Sequence, residues 1–112
     1  MLFKYIQIKK VYDFQEEFNE YRVNSFLKHK FEEAGYTVFY DDQELPQEAT
    51  ADPCNVLKCN VERGKSMTAT KLTVTLVNCK SQTVFTANGE SRLKLRSKSH
   101  VDALKNALEH SG

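Results

Sequence analysis

The chain has 112 residues with a net charge of +1, 40% hydrophobic and 28% charged, and only 2 Pro and 4 Gly. That length supports one modest core, and the composition excludes a disordered, collagenous or low-complexity chain. No apolar run reaches the roughly 18 residues of a membrane helix, since Lys4, Gln7, Lys9 and Lys10 interrupt even residues 1–11.

Met1–Lys10 alternates Phe3, Tyr5 and Gln7 against Lys4, Ile6 and Ile8, the period of a half-buried strand. The next apolar positions change phase. Phe14, Phe18 and Tyr21 fall on one helical face, and Val23, Leu27, Phe31 and Ala34 on the opposite one. This favours a loop or turn over 12–20 and a main helix over about 20–34 that stops at Gly35; a continuous helix capped by Asp13 and Glu16 is the alternative. Tyr36–Tyr40 is a short β-branched and aromatic strand, so strand, helix and strand suggest a parallel crossover. Residues 41–53 carry Asp41, Asp42, Glu44, Glu48 and Asp52 with no base, and form a loop with room for a helical turn at 47–51.

Asn55–Arg63 and Thr70–Asn78 both alternate. A hairpin pairing Leu57 with Leu76, Cys59 with Val74 and Val61 with Leu72 sets apolar against apolar and Glu62 against Lys71. The same register brings Cys54 opposite Cys79, within disulfide range, and leaves Cys59 a buried thiol. A second hairpin is expected from Thr83–Ala87 and Ser91–Arg96 around Asn88-Gly89, a type I′ turn signal; whether Val84 or Phe85 faces the core is open. Ser99 is the expected N-cap of a last helix over about 100–109, with Val101, Leu104 and Leu108 as its stripe. The chain thus reads as a single α+β domain over 1–112. A mixed, largely antiparallel sheet of five to six strands carries the main and C-terminal helices on one face.

Catalytic patterns are absent. His29, His100 and His110 have no evident partner in sequence and read as surface residues, and the glycines show no phosphate-cradling spacing. The cysteines lack C-x-x-C spacing, and the acidic run at 41–44 lacks EF-hand spacing, so no metal or cofactor is indicated. Arg92, Lys94, Arg96 and Lys98 would align on one strand face, where they suit an anionic partner; Phe85 and Tyr40 are further contact candidates as exposed aromatics. The near-neutral total charge argues against nucleic acid.

The segments FNEYRVNSFLKHKFEEAGYTVFY, ELP, DPCNVLKCNVE, TATKLTVTLVNCKSQTVFTANGESR and HVDALKNAL together resemble a family of small exported proteins of Bacteroidetes-type bacteria. The resemblance implies a periplasmic or secreted chain whose signal peptide has been removed, with paired cysteines at Cys54 and Cys79, and it implies no particular reaction. The order of elements also looks like the small domains of envelope lipoproteins and TolB-type periplasmic assemblies, which dock to other proteins. The expectation is a non-enzymatic envelope binding or assembly module whose partner is a protein or anionic glycan, with oligomeric state open. The alternative is a thiol-based redox sensor or exchange protein using Cys54, Cys59 and Cys79.

Overall fold

A computed structural model describes residues 4–110; Phe3, assigned by alternation to the first strand, lies outside them. Strands β1 (Tyr5–Ile8), β2 (Thr37–Tyr40), β3 (Val56–Arg63), β4 (Thr70–Val77) and β5 (Thr83–Ser91) form one mixed sheet in the order β2-β1-β3-β4-β5. β1 runs parallel to both β2 and β3, and β3, β4 and β5 are antiparallel neighbours. Helices α1 (Val23–Glu33) and α3 (Arg96–His110) cover one face, as expected from the sequence. The short α2 (Gln47–Ala51) covers part of the other, where Ala49 and Leu45 pack with Tyr5, Val56 and Phe39.

Alternation decides which side chains are buried. Ile6, Ile8, Val38, Leu57, Cys59, Val61, Leu72, Val74 and Leu76 point under α1 and α3 and make the main core with Val23, Leu27, Phe31 and Leu104. The rest of the opposite face, away from α2, is polar and rich in threonine: Thr73, Thr75 and Thr86 alternate with the core residues there.

The connection from β1 to α1 is the loop that the change of phase predicts, followed by a 3-10 turn at Glu20–Arg22. Polar contacts hold it, and the alternative of a continuous helix capped by Asp13 and Glu16 is not formed. The Gln15 side-chain oxygen accepts from the Tyr12 amide (2.8 Å), and its nitrogen donates to the Glu20 carbonyl (2.9 Å) and to Asn24 Oδ1 (2.7 Å). Asn24, wholly buried, donates in turn to the carbonyls of Lys9 (2.7 Å) and Lys10 (3.0 Å). Tyr21 and Arg22 sit at φ 59° and 62°, a region that costs an L-residue about 1–2 kcal/mol. Asn19, also left-handed, accepts from the Ser25 amide (2.8 Å) and caps α1 from outside the helix. At the other end Gly35 takes φ 102°, the conformation expected of the residue that ends the helix.

Three expectations are corrected. In the β3–β4 hairpin Cys59 pairs with Leu76 and Val61 with Val74, so the register is displaced by two residues from the expected pairing of Leu57 with Leu76. A shift of two keeps every side chain on its own face, so the apolar pattern is satisfied either way. The Cys54–Cys79 bridge forms nonetheless, because Cys54 lies in a 3-10 turn (Pro53–Asn55) before β3 and Cys79 just beyond β4; their Cα atoms are 4.8 Å apart.

The second hairpin is absent. β5 runs straight through Asn88 and Gly89, and residues 92–95 are a loop rather than a strand. Gly89 faces α3, where a Cβ would strike the Ala103 carbonyl oxygen and stand 2.7 Å from the Ala107 nitrogen. The glycine admits the helix instead of turning the chain. α3 itself starts at Arg96, ahead of the expected Ser99 cap, since the Leu95 carbonyl already accepts from the Lys98 and Ser99 amides. At the strand's outer end the Glu90 amide donates to Asn106 Oδ1 of α3 (3.1 Å).

Gly89→Ala is expected to lower unfolding stability by about 3 kcal/mol, since β5 and α3 must part to admit a methyl group. Asn24→Leu should cost at least about 2 kcal/mol by orphaning the two carbonyls and Gln15. Urea titration of each variant beside the parent chain checks both.

Candidate functional site

The four cations expected on one strand face are dispersed. Arg92 and Lys94 lie in the exposed loop after β5, and Arg92 Nε donates to Glu90 (3.3 Å). Arg96 and Lys98 belong to the first turn of α3 and serve different clefts. Lys98 lines a cleft of about 470 Å³ between α1 and α3 with Phe26, Leu93 and Val101, whereas Arg96 reaches the groove described below. The aromatics are also less exposed than expected. Phe85 is half-buried against the core beside Leu76, Phe31 and Leu108, which leaves Val84 on the solvent side at 44% exposure. Tyr40 is half-buried and meets Phe18 edge-on at 5.3 Å.

A groove of about 900 Å³ opens where the tip of the β3–β4 hairpin, the Asp13-Phe14 loop and the start of α3 converge. At its base is His100, only 2% exposed, contrary to its expected surface position. Its ring stacks on Tyr21 at 4.1 Å and on Phe14 at 5.8 Å, and Phe14 stacks in turn on Tyr12. Tyr12 is anchored by donating to the Cys59 carbonyl (2.8 Å).

Hydrogen-bond partners fix the tautomer of His100. Nδ1 lies 2.7 Å from the Arg96 carbonyl oxygen, which can only accept, so Nδ1 carries the proton. Nε2 is then the lone-pair nitrogen, facing Arg63 Nη1 at 3.5 Å. Arg63 occupies the core-facing row at the end of β3, opposite Leu72, and its guanidinium carbon lies 5.6 Å from the centre of the Phe14 ring. Burial is the main cause that holds the His100 ring below the ordinary histidine value; the Arg96 carbonyl opposes it, and the Arg63 and Arg96 charges reinforce it.

This geometry does not activate a nucleophile. Ser99 Oγ stands 3.5 Å from Nδ1, but that nitrogen is already a donor and cannot take the serine proton. The hydroxyl is occupied besides, with Thr70 Oγ1 at 2.8 Å and the Arg96 carbonyl at 3.2 Å. Cys59 is buried in the core, as the alternation of β3 implies, and burial pushes its thiol up to about 12, the reverse of what thiol exchange needs. The bridged Cys54 and Cys79 are exposed, on the far side of the sheet from the groove. The acidic run at 41–44 is partly neutralised, because Asp41 accepts from the Lys10 amide (3.0 Å) and Asp42 pairs with the Lys10 ammonium (2.8 Å). Among the described residues no three His, Cys, Asp or Glu side chains gather as a metal site.

Sequence reading placed His100 wrongly because its partners come from other elements. A signal was present in α3: His100, Ala103, Leu104 and Ala107 keep helical spacing, and with Ser99 they are the buried stripe. Val101 and Leu108, read as that stripe, are half-buried at its flanks.

A histidine held below its unfolded value of 6.5 binds a proton more readily in the unfolded chain. The stability it confers is complete above about pH 6.5 and is lost as pH falls from there toward the folded-state pKa, by no more than about 1.4 kcal/mol per pH unit. Denaturant unfolding of the parent chain between pH 7.5 and 5 should show this fall, and His100→Gln should remove its share of the slope.

No family model matches the chain, and no curated protein matches it. Its fold is similar to that of PelC, a dodecamer from Paraburkholderia phytofirmans. A single-residue variant of PelC aligns over 95% of this chain and 90% of its own length, with a TM-score of 0.53 and 14% identity. A second PelC structure covers 91% of this chain and 82% of its own, again at a TM-score of 0.53 and 14% identity. At that identity the likeness is one of fold.

Proposed function

We propose that this chain is a non-enzymatic module of the bacterial envelope, periplasmic or secreted, that works by binding and assembly. The observation that carries the reading is the loop between β5 and α3, where Leu93 and Leu95 stand 51% and 61% exposed among Arg92, Lys94 and Arg96. Two large aliphatic side chains held in water among cations form the beginnings of an interface with a partner that offers apolar and acidic groups. The Cys54–Cys79 bridge supports an oxidising compartment, and no helix among the described residues is long and apolar enough to cross a membrane. The fold shared with PelC adds a form of assembly, because that protein is a dodecamer; association of several copies of this chain belongs to the proposal.

Native mass spectrometry of chain purified under oxidising conditions tests both parts. The proposal expects one disulfide, mapped to Cys54 and Cys79, and a complex of several copies that Leu93→Glu with Leu95→Glu reduces to monomers. Three free thiols would remove the envelope placement. A monomer at all concentrations, or an oligomer indifferent to the two glutamates, would remove the assembly surface.

A further inference from the structure

The core-facing row that ends β3 runs Leu57, Cys59, Val61 and then Arg63. An apolar residue at position 63 would continue that row against Leu72; a guanidinium stands there instead. It is set between the Phe14 ring and the lone pair of His100 Nε2. Burying a proton-bearing imidazole to aim one lone pair at a cation costs desolvation, and it orients the arginine rather than neutralising it. Among the described residues Arg63 has no carboxylate within 4.0 Å, and the same holds for Lys65 and Arg96, which line the same groove from the hairpin loop and from α3. Asp13 and Glu62 also border it, so three cations face two carboxylates and the groove keeps an excess positive charge while His100 is neutral.

We infer that this groove is a binding site for an oxyanion, a carboxylate or phosphate carried on a small molecule or a sugar unit, with Arg63 as the oriented contact and Lys65 and Arg96 completing the charge. A planar guanidinium held by two ring systems presents its remaining N–H donors as a fork, which matches the paired oxygens of either group. Ser66 supplies a hydroxyl along the wall and Phe14 an apolar surface, and about 900 Å³ accommodates a ligand of one or two sugar rings. The site moves the anion contact expected on residues 92–98 to the hairpin tip and retains only Arg96 from that set.

The inference deepens the binding-module reading and rests on it, while standing apart from the assembly surface. Its test is a 1H–15N titration of the whole chain with inorganic phosphate and, separately, with trigalacturonate, each matched by sodium chloride of equal ionic strength. Saturable shifts centred on Gly64, Lys65, Ser66, Arg96 and His100 are expected with at least one of the two, and the probe that saturates identifies the group. Arg63→Gln and Lys65→Ala should each weaken binding about tenfold or more, while Arg92→Gln leaves it unchanged. Lys65 is exposed in a loop, so Lys65→Ala decides the matter if Arg63→Gln fails to fold. Shifts that chloride reproduces, or saturable binding that survives the substitutions, would overturn the site. An oligomer that binds neither probe loses this site alone, whereas a monomer that binds one keeps the site and loses the assembly surface.

Discussion

The buried carboxamide pair Gln15–Asn24 is the constraint from which the groove end of the molecule follows. A loop of more than ten residues between β1 and α1 would otherwise leave several backbone groups without water or partner. Two side chains, bonded to each other, satisfy the Tyr12 amide and the carbonyls of Lys9, Lys10 and Glu20. Because the loop is set, Tyr12 reaches the Cys59 carbonyl, Phe14 comes to lie on it, and Tyr21 is presented to His100 at a strained backbone angle. The strain at Tyr21 and Arg22 is tolerated because the amide pair and the capping Asn19 over-determine the turn.

The other wall of the groove depends on a close approach. Gly89 and the alanines at 103 and 107 bring α3 down onto β5. A larger side chain at any of the three would lift the helix, and with it His100, away from Arg63. The Tyr12–Phe14–His100–Tyr21 stack is therefore a joint between two independently positioned parts: a loop fixed by amides and a helix seated through small residues. Arg63 sits at that joint, so the polarity of the groove is tied to the packing of the whole domain.

Much of the architecture was legible because it rests on local pattern. The phase change before Val23, the helix stop at Gly35, the helical turn at 47–51 and the apolar faces of β3 and β4 all follow from spacing, and the structure shows each. The failures share a cause. Registers two residues apart present the same face, so periodicity has no power to choose between them. Asn88-Gly89 carries a true turn signal that is overridden by a helix arriving from elsewhere in the chain. Mistaking those residues for a turn then created a strand from 91–96 and aligned four cations that the structure sends in different directions. His100 was read as a surface residue since an imidazole is buried only where several elements supply partners, and no single segment records that.

The position of β1 in the sheet has a consequence for the order in which the chain can be built. Its partner in β3 lies about 50 residues away, at Val56 opposite Tyr5, and its partner in β2 waits on the whole of α1. The β3–β4–β5 meander joins neighbours across short turns, so its closure costs far less chain entropy. The disulfide spans only this cheaply formed half, from the start of β3 to the end of β4. Oxidation can therefore staple the β3–β4 hairpin of the meander while β1 is still free, and the four-residue β1 then docks beside β3 onto a template that is already covalently set.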